Sequence, residues 1–210
     1  MKANWVINYI NNISYFHFDV KVGKPMRLTK NDVITTAAEI ADKHGLDHVT
    51  LKAVAEQLGI RTPSLYNHIG SLDDLLRETA HRGMREMNTG MAQAAIGVSG
   101  VEAVRAVSRA YFDYLVVHPG VYETIQWAVW HGNAETAEIF GEYRGLLEKI
   151  VTSCGVKGDG IGAATDLLTG FLHGYCTLQL GSALKDRNAA AQRIVLAIDT
   201  VMRGIISTNG

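Results

Sequence analysis

The chain has 210 residues, of which 47% are hydrophobic and 20% charged, and its formal net charge at pH 7 is −1. These values are typical of a globular protein with a sizeable core, and they exclude a disordered or collagen-like chain. No stretch approaches the roughly 18 unbroken apolar residues of a membrane span. The two cysteines, Cys154 and Cys176, are far apart in sequence, so we expect no disulfide framework, metal or cofactor, and a cytoplasmic protein.

Residues 1–25 differ in composition from the rest of the chain, being rich in asparagine and aromatic residues. They contain neither the continuous apolar segment nor the small-residue cleavage site of a signal peptide. We interpret them as an N-terminal extension ahead of the first domain, with Met26 as a candidate alternative start.

Helical patterns begin after residue 28. Thr29 and Asp32 have the spacing of a capping box, and apolar residues then recur at helical spacing. Gly45, preceded by two basic side chains, predicts the end of this helix. A second helix is predicted over residues 51–58, ended by Gly59.

A very short third helix is predicted over residues 63–68. Thr62 is expected to be its N-cap and Pro63 its first residue, where the missing N–H of proline costs nothing. A Ser-Leu-Asp-Asp capping sequence then opens a longer helix over residues 72–87. The glycines and small residues of 88–100 predict a helix end followed by a connection.

The second half of the chain is also helical, with almost no strand alternation. Its predicted helices are 100–117, 121–130, 134–153, 160–182 and 187–207. The predicted fold is therefore all-α, with a three-helix N-terminal head in residues 26–87 joined to a larger C-terminal helical body in residues 88–210.

The second and third helices have the spacing of a helix-turn-helix. Ala55 is small where the helices cross, Gly59 lies in the turn, and Leu65 packs back against the head. A helix this short is not stable alone, so we expect Leu65 and Ile69 to hold it. The side chains left facing outward can pair with base edges and phosphates in a major groove. They are Arg61, Thr62, Ser64, Tyr66, Asn67 and His68.

The sequences "LTKNDVITTAAEIADKHGLDHVT" and "TLKAVAEQLGIRTPSLYNHIGSLDDLL" together resemble the DNA-binding head of the TetR family of transcriptional regulators over residues 28–82. The resemblance includes the Leu-Tyr-x-His motif formed by Leu65, Tyr66 and His68. It implies that the short third helix is the recognition helix and that Tyr66 and Thr50 contact the phosphate backbone. It also implies that the next helix links this head to a ligand-binding and dimerisation body.

Two positions depart from the family pattern, because Ile69 and Leu72 stand where the family usually has Phe and a phosphate-binding Lys. Acidic side chains also slightly outnumber basic ones in residues 26–87. Phosphate binding must then depend on local basic residues and on helix N-termini, and we expect a weak salt dependence. The basic residues concerned are Arg27, Lys30, Lys52 and Arg61.

The last two helices carry the features of a subunit interface. Four glycines in 160–182 share one helical face, and glycine within a helix costs about 1 kcal/mol relative to alanine, so a second helix is expected to approach there. The glycines are Gly162, Gly170, Gly174 and Gly181. An apolar stripe in 187–207 comprises Ile194, Val195, Ile198, Val201, Met202 and Ile205. We predict a homodimer through these helices, bound to a palindromic double-stranded DNA operator, although both stripes could instead be core within one chain.

Aromatic and polar residues cluster in the middle of the body, as in a small-molecule site. The candidate effector-pocket residues are Tyr111, Tyr114, His118, Tyr122, Gln126, Trp127, Trp130, His131, Phe171, His173 and Tyr175. Trp130, His131 and Gly132 also resemble the WHG sequence of one subset of TetR C-terminal domains. Core packing is the alternative interpretation of most of these aromatic residues.

The sequence therefore predicts a ligand-responsive DNA-binding regulator, a repressor that a small molecule of unknown identity releases from its operator. One alternative is a protein-binding module that uses the helix-turn-helix surface. Another is an α-helical small-molecule enzyme, for which the sequence contains no nucleophile elbow, phosphate loop or metal motif. Substitution of Arg61 and Asn67 separates the first two functions, since only a DNA reader would lose sequence specificity.

Overall fold

The computed structural model describes residues 28–181 and 187–209. The predicted extension at residues 1–25 and Arg27 lie outside this part of the chain. The described residues form nine α-helices and one short 3₁₀ helix and contain no strand, which confirms the all-α prediction. The helices are α1 (Lys30–His44), α2 (Leu51–Gln57), α3 (Thr62–Leu65), α4 (Leu72–Ala94), α5 (Gly100–Val117), α6 (Pro119–His131), α7 (Ala134–Ser153), α8 (Gly160–Leu180) and α9 (Arg187–Asn209), with the 3₁₀ helix at Leu46–His48.

Helix α1 begins and ends as the sequence predicts. The Thr29 hydroxyl accepts a hydrogen bond from the Asp32 amide, and the Asp32 carboxylate accepts one from the Thr29 amide at 2.8 Å. This reciprocal capping box satisfies two of the amides that a helix N-terminus leaves unpaired. Gly45 ends the helix with φ of 90°, a conformation that glycine adopts at low cost.

Helix α3 is shorter than the predicted third helix and starts one residue earlier. Arg61, not Thr62, is the N-cap residue, and no side-chain hydrogen bond caps this end. Pro63 stands in the first turn, where a proline fits. After Leu65 the chain continues through Tyr66–His68 in turns, and the His68 amide donates to the Leu65 carbonyl at 2.8 Å.

Helix α4 extends to Ala94, so the predicted helix end at Met87 is wrong, and of residues 88–100 only 95–99 form the predicted connection. Met87 and Met91 are both buried in the core of the body, and this packing outweighs the helix-weakening glycine at position 90. The predicted boundary between residues 87 and 88 therefore lies within a continuous helix. The head and the body are joined by the continuous helix α4 rather than by a non-helical linker.

The core of the body lies between α4 and the five helices that follow it. Ile194 and Ile198 of α9 are completely buried there, together with Met202. The apolar stripe of the last helix is therefore core within the chain, and it does not by itself supply a subunit interface. None of the helices in the described ranges is both long and apolar enough to cross a membrane.

Helix α6 is packed between the head and the body because two glycines allow close approach. A Cβ atom at Gly83 of α4 would lie 2.4 Å from Cγ1 of Val121. A Cβ atom at Gly120 would lie 1.9 Å from the Ala41 carbonyl oxygen at the end of α1. Neither position has room for a side chain. The backbone of α6 therefore lies directly against the end of α1 at Gly120, and the Val121 side chain of α6 lies directly against the backbone of α4 at Gly83.

Candidate nucleic-acid interface and ligand cavity

Helix α3 and the turn after it pack against the head with one face and expose the other. Leu65 and Ile69 are buried in the head core, as predicted. The Tyr66 side chain is 56% exposed, an unusual value for so large an aromatic group in a packed head. The outward set consists of exposed Arg61, Tyr66 and Asn67 and half-buried Thr62, Ser64 and His68. This surface offers a guanidinium, an amide, hydroxyl groups and a ring to a nucleic acid.

Two other predicted DNA-binding residues also have contacts within the chain. The Thr50 hydroxyl caps α2 by accepting a hydrogen bond from the Ala53 amide at 3.0 Å. The Lys30 ammonium donates to the Glu78 carboxylate of α4 at 2.6 Å, so its charge is paired. Lys30 would have to leave Glu78 before it could contact a phosphate.

The two departures from the family pattern have a packing explanation. Ile69 is 3% exposed and belongs to the head core, and Leu72 packs against the same core. The first turn of α4 also carries Asp73 and Asp74, which suit the positive end of a helix. Asp74 accepts a hydrogen bond from the Gly70 amide at 2.9 Å and fixes the turn before α4. This edge of the head is therefore built for packing and capping.

A cavity of about 240 Å³, partly open to solvent, lies between α4, α5, α6, α7 and α8 of the body. Four of the eleven predicted pocket residues line it: Tyr111, Tyr122, Gln126 and His173. The further lining residues are Met84, Met87, Asn88, Ile125, Val129, Phe140, Tyr143, Thr169 and Gly170. The wall is mostly apolar and aromatic with a few polar groups, as in most small-molecule sites.

Several of the other predicted pocket residues lie at the junction of head and body. Tyr114 contacts the His118 ring, with centroids 4.9 Å apart, and its hydroxyl donates to Glu86. His118 Nδ1 lies 2.9 Å from a carboxylate oxygen of Asp42 in α1. Trp127 packs against the head core. These residues connect the two parts of the molecule and do not line the cavity.

The rest of the predicted pocket residues lie on other surfaces. Trp130 is 85% exposed and borders a shallow groove next to the cavity, while His131 stacks on Trp127 outside it. Phe171 and Tyr175 pack against the core on the far side of α8, where the Tyr175 hydroxyl donates to the Ala190 carbonyl. Their effector-binding role thus has no support from this cavity.

The cavity residues missing from the prediction carry weak sequence signals. Met84 and Met87 lie one turn apart on a helix predicted to end at 87, and Asn88 falls in the predicted connection. Phe140 and Tyr143 are isolated aromatic residues of α7. Residues 84, 87 and 88 have helical spacing and lie on the cavity side of α4. A prediction that extended this helix by two turns would therefore have placed all three on one helix face.

Polar side chains form a hydrogen-bonded chain along one wall of the cavity. The Tyr111 and Tyr122 hydroxyl oxygens are 2.9 Å apart, and the Tyr122 hydroxyl lies 3.0 Å from His173 Nδ1. Burial raises the pKa of both phenols well above the usual range and that of Tyr143 to about 12. All three hydroxyls therefore keep their protons. Within the described ranges, no group of three or more His, Cys, Asp or Glu side chains could hold a metal ion.

An exposed helix-turn-helix on a helical body with a partly open cavity fits one class of protein, the helix-turn-helix transcriptional regulators. Comparison with known sequences gives the family. Residues 33–79 match the profile described as bacterial regulatory proteins, tetR family, and residues 104–201 match a tetracyclin repressor-like C-terminal domain. The chain belongs to the tetR family, and it is a DNA-binding transcriptional regulator and not an enzyme.

Individual relatives agree with this assignment. The chain is 29% identical over 183 residues to the HTH-type transcriptional regulator YobS of Bacillus subtilis (strain 168), covering 87% of this chain and 95% of YobS. It is also 29% identical over 168 residues to the HTH-type transcriptional regulator Rv0681 of Mycobacterium tuberculosis (strain ATCC 25618 / H37Rv), covering 79% and 76% of the two chains. In fold alone, the chain is also similar to the solved structure of a TetR variant from Acinetobacter baumannii AYE in complex with minocycline, with a TM-score of 0.69, 18% identity and coverage of 88% and 99%.

Proposed function

We propose that this regulator is a repressor that leaves its operator when a small molecule fills the cavity. The observation that carries the proposal is the position of α6, which has the head on one side and the cavity on the other. Tyr122, Ile125, Gln126 and Val129 of this helix line the cavity. Trp127 packs against the head core from the opposite side.

Both ends of α6 are capped by side chains from other helices, one in α1 of the head and one in α4. At the N-terminus, where His118 provides no side-chain cap, the Asp42 carboxylate of α1 accepts a hydrogen bond from the Val121 amide at 2.9 Å. At the C-terminus, the Arg77 guanidinium of α4 donates to the His131 carbonyl at 2.7 Å. A carboxylate at the positive end and a cation at the negative end of a helix are both favourable.

A third contact ties the middle of α6 to the head. The Glu123 carboxylate accepts a hydrogen bond from the Leu46 amide at 3.0 Å, at the start of the 3₁₀ helix that follows α1. A ligand that displaces α6 therefore acts on α1, the 3₁₀ helix and α4 at once. If the ligand prefers one arrangement of the heads and DNA prefers another, the two affinities are coupled, typically by about 1–3 kcal/mol.

A homodimer through α8 and α9 is the second part of the proposal. A Cβ atom at Gly174 or Gly204 would meet nothing within 4 Å, so these helix faces are not filled by the same chain. The same two helices expose large apolar side chains, with Leu167 52%, Leu178 50% and Leu196 66% accessible. Small residues beside exposed leucines favour a second copy, whose helices can approach closely and cover the apolar surface.

A two-fold dimer presents two recognition helices and so fits a palindromic operator with half-sites about 34–36 Å apart, or a multiple of that distance. We assign backbone contacts to Thr50 and Tyr66, with Lys30 joining them once it is released from Glu78. Base and groove contacts are assigned to Arg61, Thr62, Ser64, Asn67 and His68. Their exposure above a buried Leu65 supports this division. The site of action is the cytoplasm, where bacterial DNA lies.

Membership of the WHG subset is also proposed. Gly132 lies at the corner between α6 and α7, where a Cβ atom would be 2.6 Å from the Ala128 carbonyl oxygen. A larger residue at position 132 would clash with this carbonyl group, which explains the glycine of the Trp-His-Gly sequence. Trp130 stands exposed beside it.

Selection of genomic DNA fragments by the purified protein tests the proposed function. We expect enrichment of a palindromic site. In a mobility-shift experiment, one or more compounds of a small-molecule library should then release the protein from that site. Absence of any specifically retained fragment at low salt would contradict DNA-dependent repression. Specific binding without any displacing compound in a metabolite library would instead contradict the ligand response.

A further inference from the structure

The shallow groove between α6 and α7 adjoins the cavity. Four apolar side chains line both depressions, so the groove and the cavity share one boundary: Met84, Ile125, Val129 and Phe140. Val129 and Phe140 are exposed, so the cavity opens to solvent on the side of the groove. A molecule that enters the groove therefore reaches the cavity by passing these two side chains.

The groove carries a cluster of exposed apolar side chains. Val129, Trp130 and Phe140 all lie around it, and Trp130 is the most exposed of the three. Single exposed apolar residues are ordinary, whereas several around one depression mark a binding surface. Trp130 combines an apolar ring with a polar N–H group, which suits a position between an apolar ligand and water.

The walls favour an apolar ligand. Among the described residues that line the cavity or the groove, none is Asp, Glu, Lys or Arg. Tyr111, Tyr122 and His173 hydrogen-bond to one another, and the Asn88 amide nitrogen donates to a backbone carbonyl of α7. Gln126 also borders a second, polar pocket beside the 3₁₀ helix of the head. A charged group inside the cavity would lose its hydration without meeting an opposite charge, whereas in the open groove it would keep its water.

The two depressions together form a long site. They follow α6 from Tyr122 in the cavity to Trp130 in the groove, and these residues are separated by about 12 Å at 1.5 Å per helical residue. An elongated apolar chain can cover both depressions. A compact molecule would leave either the cavity or the groove uncovered.

We propose that the cavity and the groove form one site for a single-chain amphiphile. Its alkyl chain lies in the cavity and crosses the boundary at Val129 and Phe140, and its polar head stays hydrated in the groove beside Trp130. The head need not carry a charge of either sign. This inference rests on the proposed function for its biological role, but it concerns binding alone.

A series of n-alkyl maltosides, used below their micelle-forming concentrations, tests the inference by calorimetry in the absence of DNA. Their two-sugar head is too strongly hydrated to enter an apolar cavity, so the chain alone can do so. From hexyl to decyl maltoside we expect the affinity to rise about two- to fourfold for each added CH₂ group. Decanoate and decyltrimethylammonium should bind within about fivefold of each other, because both charged heads remain in water.

Two variants locate the chain. Trp130→Ala should weaken the binding of decyl maltoside about three- to tenfold, because the ring covers the outer part of the chain. Val129→Asp should weaken it further, because the crossing chain would bury a charge. Both positions are exposed, so neither change removes a buried core contact. Ile96→Ala and Val98→Asp make the same kinds of change at exposed positions between α4 and α5, and should bind decyl maltoside as the wild-type protein does.

The orientation of the ligand has its own test. If the head lay in the cavity, its hydroxyl groups would bond to the Gln126 amide, and Gln126→Leu would lose maltoside affinity. We expect this variant to bind decyl maltoside at least as tightly as the wild-type protein, because the chain and not the head lies beside position 126. A loss of affinity in Gln126→Leu would refute the proposed orientation.

The remaining contrary results each overturn a defined part of the inference. Affinity that is independent of chain length, or unchanged in both Trp130→Ala and Val129→Asp, would refute a chain that spans the two depressions. A preference of more than about tenfold for one charged head would refute the hydrated head. If the two substitutions change the sedimentation coefficient of the ligand-free protein and leave maltoside binding intact, the groove is a contact between copies of the chain and the inference fails.

Failure of the inference and failure of the proposed function are distinguishable. If maltosides bind with the expected dependence on chain length and no compound ever releases DNA, the inference stands and the proposed ligand response fails. If other compounds release DNA while none of the single-chain probes binds, the proposed function stands and the inference fails.

Discussion

Gly120 and the carbonyl group of Ala41 are in such close contact that a Cβ atom at position 120 would lie 1.9 Å from the carbonyl oxygen. This contact brings the N-terminus of α6 against the C-terminus of α1. It also places Val121 where its amide can donate to Asp42. The junction of head and body is therefore set by one glycine at the start of a cavity-lining helix.

We predict that Gly120→Ala lowers the free energy of unfolding by about 1–3 kcal/mol, because the methyl group forces α6 away from a backbone that cannot yield. Urea denaturation measures the effect. Gly141→Ala is the matched control, since a Cβ there meets nothing within 4 Å and alanine raises helix propensity. Equal stabilities of Gly120→Ala and the wild-type protein would show that the junction is looser than described.

Asn67→Ala should lose about 1–3 kcal/mol of affinity at particular base pairs, because an exposed amide of the recognition segment reads base edges. Tyr66→Ala should instead weaken binding to all sequences alike. Binding profiles over every single-base variant of the selected operator measure the difference. An unchanged profile for Asn67→Ala would mean that the recognition helix faces the groove in another orientation.

Thr50 needs its own pair of variants because its hydroxyl also caps α2. Thr50→Ala should reduce both operator affinity and the free energy of unfolding, the latter by about 1 kcal/mol. Thr50→Ser keeps a hydroxyl that can cap, so it should preserve stability. Operator affinity measured for both variants, together with urea denaturation, separates a phosphate contact from a capping effect. Full affinity in Thr50→Ala would remove Thr50 from the DNA interface.

Leu178→Asp should convert a dimer into a monomer, because the two-fold axis would bring buried charges into an apolar contact. Sedimentation velocity at micromolar protein measures the change. Val98→Asp is the control, since Val98 is also exposed but lies in the turn between α4 and α5. A monomeric wild-type protein, or a dimer that Leu178→Asp leaves intact, would place the subunit interface elsewhere or exclude it.

His81 gives the stability a predictable dependence on pH. Its side chain is 1% exposed and its Nε2 lies 2.7 Å from the Thr136 hydroxyl, and this burial lowers its pKa below the usual value of about 6.5. The unfolded chain then binds the proton at higher pH than the folded chain. The free energy of unfolding should therefore fall as the pH drops below about 6.5. The loss should be smaller in His81→Gln, and His48→Gln, at an exposed position, should behave as the wild-type protein.

The sequence was most informative where local rules decide the structure. The Thr29 capping box, the Gly45 stop and the burial of Leu65 depend on neighbours within a few residues, and all three were predicted. The end of α4 was missed because its last two turns are poor helix formers by composition. Met91 stabilises them only through its burial in the body, a contact between distant parts of the chain.

The cavity was only partly predictable for the same reason. Tyr111 and Tyr122 drew attention as members of an aromatic cluster. Trp130 belongs to the same cluster and yet points outward, because the direction of a side chain depends on where α6 packs. Asn88 was not predicted, since its place beside the cavity depends on α4 continuing past Met87.

The coupling of cavity to DNA through α6 is tested most directly by operator affinity with and without a displacing compound, in the wild-type protein and in Asp42→Ala. Fluorescence anisotropy of a labelled operator measures it, and Asp47→Ala, an exposed acid of the same head, is the control. We predict that the compound lowers operator affinity about 5–150-fold in the wild-type protein and the control. In Asp42→Ala the compound should still bind, but the shift should be much smaller because the cap between α1 and α6 is lost. A shift of the same size in Asp42→Ala would contradict the account.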